Sequence, residues 1–128
     1  MKLNNKLSIF IVEDNEMYSF MLERKLQDQI NYRITNYSTG EACLKDLYLN
    51  PDIVILDYNL PGINGMEALK ALKERKPKLH VIILSSQTDP QAVAELMKEG
   101  AYDYIQKNKD TLIKITEAIE NIRNMSYQ

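Results

Sequence analysis

Five short runs rich in β-branched and aromatic residues, each followed by a helix-like segment, constrain this chain more than any other feature. The runs are LSIFIV (7–12), YRITNY (32–37), DIVIL (52–56), HVIIL (80–84) and YDYI (102–105). Strands that alternate with helices build a parallel sheet, because a parallel neighbour is reached only through a long crossover, usually a helix. The first, third and fourth runs are nearly continuous aliphatic stretches, as expected of central strands buried on both faces. The second and fifth alternate apolar with polar residues, as edge strands do. Right-handed crossovers then favour the order 2-1-3-4-5: a doubly wound, five-stranded parallel α/β sheet in a flavodoxin-like three-layer sandwich.

The helix signals agree with this spacing. The first helix is expected over about Glu16 to Gln29, with Met17, Phe20, Met21 and Leu26 among its apolar positions. STGE gives the second a capping box from Ser38 to Glu41, and Asn64 with Glu67 gives one to the third. The fourth is bounded by Asp89 as cap, Pro90 in the first turn and Gly100 as terminator. The fifth runs from about Asp110 to Asn124 with Leu112, Ile115, Ile119 and Ile122 on one stripe.

At 128 residues the chain is expected to form one domain, residues 1–128, large enough for a real core. A net charge of −2 marks no surface for nucleic acid or an anionic membrane. Cys43 is the sole cysteine, which excludes an internal disulfide and fits a reducing compartment. LSIFIV is too short for a span or a signal peptide and runs directly into Glu13 and Asp14, so the cytoplasm is the expected location.

In such sheets ligands bind beyond the carboxyl ends of the strands, where the winding reverses, here between the first and third strands. To that rim the first strand delivers Glu13 and Asp14, the third Asp57, the fourth Ser85, and the loop after the fifth Lys107. Carboxylates about 4 Å apart repel by about 4 kcal/mol per pair at an effective dielectric near 20. The cluster is tolerable if one acid protonates or a divalent cation sits among them, and oxygen ligands of this kind suit Mg²⁺. Ser85 and Lys107 are then placed to contact an anion, and Asp57 to act as a nucleophile that forms an aspartyl-phosphate.

IVEDN (11–15), ILDYNLPGING (55–65), IILSSQ (82–87) and GAYDYIQKN (100–108), taken together in this order, resemble the receiver domain of two-component response regulators. The resemblance covers essentially the whole chain. It implies Asp57 as the phosphorylation site of a phosphorelay, Asp14 as direct metal ligand, Glu13 acting mostly through water, and the backbone carbonyl of Asn59 as a further ligand. It implies Ser85 as the hydroxyl that follows the phosphoryl group, Lys107 as its pairing cation, and Tyr104 as the aromatic switch on the fifth strand. Asn59 and Gln87 stand where phosphate lifetime is tuned, and as neutral amides they permit autodephosphorylation. The implied partners are a histidine kinase or phosphotransfer protein as donor, and an effector domain, partner protein or second phosphorylated copy on the face of helix 4, strand 5 and helix 5. The protein is then a phospho-acceptor that assists its own phosphorylation and dephosphorylation, not an enzyme.

One position departs from the pattern. Receivers usually carry proline after the lysine, often cis, whereas Asn108 follows Lys107 here. A cis bond without proline costs about 2.5–4 kcal/mol, so a trans peptide and a different path into the fifth helix are expected. His80, Cys43 and the eight tyrosines otherwise read as packing and surface residues. Two other functions compete: a phosphorylation-independent interaction module on the same fold, and a flavin mononucleotide carrier. The carrier needs a phosphate-cradling loop after the first strand, where EDNEMYS puts acids. The resemblance is compatible with both a stand-alone receiver and one that belongs to a longer regulator.

Overall fold

The computed structural model describes residues 6–28, 31–86 and 89–126. Its strands are β1 (Leu7–Val12), β2 (Tyr32–Tyr37), β3 (Ile53–Asp57), β4 (His80–Ser85) and β5 (Asp103–Gln106). Its helices are α1 (Glu16–Gln27), α2 (Gly40–Lys45), α3 (Gly65–Arg75), α4 (Pro90–Lys98) and α5 (Thr111–Ser126), with a 3-10 turn at Leu47–Leu49. The strands pair in parallel in the order β2-β1-β3-β4-β5, as the crossover rule predicts.

Side-chain alternation divides the central strands between two cores. Phe10, Val12, Val54, Leu56, Val81 and Ile83 face α2, α3 and α4, where Cys43, Leu69, Leu72 and Leu96 close over them. Ile9, Ile11, Ile53, Ile55, Ile82 and Leu84 face α1 and α5, meeting Leu22, Leu26, Ile115 and Ile119. Helices on opposite faces diverge between β1 and β3, which leaves a crevice at the strand ends.

β3 and β5 lie one residue later than the sequence runs suggest, and β4 starts at His80 as expected but extends one residue further, so Asp57 and Ser85 are the last residues of their strands. Two expectations need correction. The cap of α2 is Thr39, which accepts from Ala42 N at 3.1 Å; Glu41 reaches instead across to Ile63 N at 3.3 Å, so no box forms with Ser38. The buried face of α1 is Ser19, Leu22 and Leu26, whereas Met17 and Phe20 are 84% and 59% exposed. That face keeps the three- and four-residue spacing of a helical stripe, in a phase shifted from the one Met17, Phe20 and Met21 suggest. The expected end of α1 at Gln29 lies outside the described residues.

The other caps follow their sequence signals. Asn64 and Glu67 form a complete capping box on α3, and Asp89 caps α4 ahead of Pro90. Gly100 ends that segment at φ +103°, a conformation that disfavours any side chain. On α5, Ile115, Ala118, Ile119 and Ile122 are buried and Leu112 is partly so.

Candidate phosphoryl-acceptor and cation site

The ladder bonds continue past the strand ends and hold the site residues in place. Glu13 N donates to Tyr37 O at 2.9 Å, Tyr58 N to Leu84 O at 2.9 Å and Lys107 N to Ser85 O at 2.8 Å. Glu13, at the tip of β1, and Asp57, at the end of β3, are 4% and 5% exposed, while Asp14 is exposed. Each of the three offers a carboxylate oxygen, and these oxygens lie within 4.8 Å of one another.

Lys107 answers this charge. Its Nζ lies 2.6 Å from Glu13 Oε1 and 3.3 Å from Asp57 Oδ2. Burial alone would lower its pKa, but the hydrogen bond to Glu13 and the charges of Asp57 and Glu13 outweigh that and hold it above the ordinary lysine value. The ammonium is therefore fully charged at neutral pH. Three carboxylates against one ammonium leave a surplus of negative charge in a largely buried crevice, and a divalent cation is the partner that would offset it. The donors are hard oxygens, partly open to solvent through Asp14, and this set fits Mg²⁺.

Both oxygens of Asp57 are engaged. Asn59 N donates to Oδ1 at 3.3 Å, and Lys107 stands at Oδ2. The turn after Asp57 is fixed by Gly65, whose N donates to Tyr58 O at 2.9 Å. A Cβ on Gly65 would stand 2.6 Å from Tyr58 Cα and 3.0 Å from Asp57 O, so only glycine lets α3 approach this closely. A carboxylate fixed from both sides, with an ammonium at one oxygen, is suited to nucleophilic attack on phosphorus.

The remaining expected residues divide. Strand alternation puts Asp57 and Lys107 on the α1–α5 face with Ile55 and Ile105, and Ser85 on the opposite face with Ile83. Ser85 is wholly buried at the tip of β4. Tyr104 pairs in register with Ile83 and packs, partly buried, against the same core. Ser85 and Tyr104 thus share a face and sit diagonally across neighbouring strands. Gln87 lies outside the described residues. His80 begins β4, at the opposite end from the rim, and burial followed by the charge of Lys73 lowers its pKa, so it is neutral at pH 7.

The peptide between Lys107 and Asn108 is trans, as expected; no peptide bond among the described residues is cis. Two residues of the site carry no sequence signal of their own. The Tyr18 ring lies under Lys107, its centroid 4.5 Å from Nζ. The Thr111 hydroxyl accepts from Asn108 N at 2.7 Å and lies 2.8 Å from Gln106 O, fastening the loop that carries the lysine.

Residues 9–120 match the family described as the response regulator receiver domain. The chain is similar to the transcriptional regulatory protein DegU of Brevibacillus brevis, at 31% identity over 83% of this chain and 46% of that one. It is 32% identical to the DNA-binding transcriptional regulator NtrC of Escherichia coli strain K12, over 80% of this chain and 22% of that protein. It therefore spans less than half the length of these relatives. Among solved structures, a response regulator receiver domain protein from Clostridium thermocellum superposes with a TM-score of 0.85 at 27% identity, covering 94% of this chain and 96% of that one.

Proposed function

From the premise that this chain belongs to the response regulator receiver domain family, we propose that it takes a phosphoryl group on Asp57 in a Mg²⁺-dependent reaction and signals by the resulting change of shape. The observation that carries this reading is the pairing of Lys107 Nζ with Asp57 Oδ2 at 3.3 Å inside a cluster of three carboxylates. An aspartate with no role in chemistry would not require so costly an assembly at a switch-point crevice.

An Asp57 oxygen attacks phosphorus as the bond from phosphorus to the donor's nitrogen or oxygen breaks, and the donor leaves with that electron pair. Mg²⁺, held by Asp14, Asp57, the Asn59 carbonyl and, mostly through water, Glu13, would supply charge neutralisation for the transferring oxygens. Lys107 is the protein's own cation for the phosphoryl group, and Ser85 supplies a directed hydroxyl. Movement of Ser85 toward the phosphoryl group would free space on the face it shares with Tyr104. Rotation of Tyr104 then remodels the surface of α4, β5 and α5, a local charge event biasing a two-state element. The donor is a histidine kinase or phosphotransfer protein, and the remodelled face meets an effector or a second copy. Asn59 and Gln87 tune hydrolysis of the product.

Incubation with acetyl phosphate and Mg²⁺, followed by intact-mass measurement, tests this. One phosphoryl group is expected, absent with chelator. No uptake under these conditions would instead support an interaction module that works without phosphorylation.

A further inference from the structure

A lysine side chain is long and flexible, so aiming its ammonium at one atom requires more than two carboxylates that also attract cations from solution. In this chain the residue after Lys107 is not proline, and nothing in the loop's covalent geometry makes it rigid. The structure supplies two other constraints. Tyr18, in the first turn of α1, presents its ring 4.5 Å below Lys107 Nζ, a third contact of the ammonium besides those to Glu13 and Asp57. That distance is within the range at which a ring face attracts an ammonium.

The ring is tied to the acid cluster through the helix cap. Glu13 Oε2 accepts from Asn15 N at 3.0 Å, and Asn15 Oδ1 accepts from Tyr18 N at 3.0 Å. The Tyr18 side chain also lies close enough to Thr111 for the two to interact. Thr111 in turn fastens the segment on either side of Lys107, meeting Asn108 N at 2.7 Å and Gln106 O at 2.8 Å. Tyr18 therefore links the helix that follows the acids to the loop that carries the lysine.

We propose that Tyr18 is a positioning residue whose ring face holds the Lys107 ammonium against Asp57, and that Thr111 fixes the loop so that this reach is kept without a rigid residue after the lysine. Only the kinetic part of the test rests on Asp57 as phosphoryl acceptor.

The direct readout is the chemical shift of the Lys107 ε-CH₂ protons in the metal-free protein, which a ring face moves upfield. Tyr18→Phe keeps that shift and Tyr18→Leu abolishes it; Tyr18→Met, which fills the space without a π face, replaces the leucine variant should that not fold. Thr111→Val, which leaves the ring in place, reduces the shift. With acetyl phosphate at saturating Mg²⁺, the phosphorylation rate falls about tenfold in Tyr18→Leu and stays near wild type in Tyr18→Phe. An unaltered ε-CH₂ shift in Tyr18→Leu, or a phenylalanine variant as impaired as the leucine one, overturns the proposal. Should the wild type take no phosphate while the shifts behave as described, the acceptor reading fails and the positioning role of Tyr18 stands.

Discussion

Lys107 lies closer to Glu13 than to Asp57: Nζ is 2.6 Å from the first carboxylate and 3.3 Å from the second. In this state the lysine is held chiefly by Glu13 rather than by Asp57. A divalent cation and the ammonium therefore compete for the same negative charge. Replacing Lys107 by methionine keeps much of the packing of the stem and removes the competitor. Mg²⁺ affinity, measured by calorimetric titration, is expected to rise about tenfold. Equal affinity in the two proteins would mean that the lysine and the cation do not share a site.

The same cluster makes a prediction about stability without metal. With one oxygen of each carboxylate within 4.8 Å of the others, Asp57 is repelled by Glu13 and by Asp14 by about 3–4 kcal/mol each at that separation and an effective dielectric of 20. Its attraction to Lys107 at 3.3 Å is about 5 kcal/mol on the same scale. Repulsion wins narrowly, so Asp57→Asn is expected to stabilise the metal-free protein by about 1–3 kcal/mol. Urea denaturation in the presence of a chelator reads this directly, and a less stable variant would show that the lysine pair dominates.

Gly65 sets the position of the turn after Asp57. Alanine there would bring Cβ to 2.6 Å from Tyr58 Cα, a backbone atom that cannot swing aside. Gly65→Ala is expected to cost about 3 kcal/mol and to lower the phosphorylation rate more than the unfolded fraction explains. A variant with wild-type melting and rate would show that α3 can retreat freely.

Cys43 is 1% exposed in the core beneath α2, and burial pushes its thiol from the ordinary 9.0 up to about 12. The unfolded chain loses this proton first as pH rises, so the contribution of this group to stability declines between pH 9 and about 12 and is constant below that window. At pH 8 the thiolate fraction is about a thousandfold lower in the folded protein, and a disulfide reagent should label Cys43 only as fast as the protein opens. Rapid labelling under native conditions would contradict the burial.

The fold was legible because its determinants are local and repeated: aliphatic runs of strand length, separated by capped helical segments. Strand order followed from which runs were apolar on both faces. The acids and the lysine were legible because topology alone brings strand ends together. The phase of α1 was not, since Met17, Phe20 and Met21 satisfy a helical stripe as well as Leu22 and Leu26 do, and only the position of the helix over Ile9 and Ile11 decides which is covered. Nor was the role of Glu41, which depends on how near the Ile63 loop comes in space. Tyr18 and Thr111 went unread for the same reason: their partners lie 89 and 93 positions away or on the loop backbone. A tyrosine in a first helical turn carries no mark of the lysine above it.

The most direct test is to locate the covalent bond. Protein incubated with acetyl phosphate and Mg²⁺ is treated with borohydride, which reduces an acyl phosphate to an alcohol and so converts an aspartyl-phosphate to homoserine, and is then digested and sequenced by mass spectrometry. Homoserine at position 57, and no reduced residue there in protein treated without Mg²⁺, is the predicted result. Unmodified aspartate at 57, or homoserine at another acid instead, would contradict it.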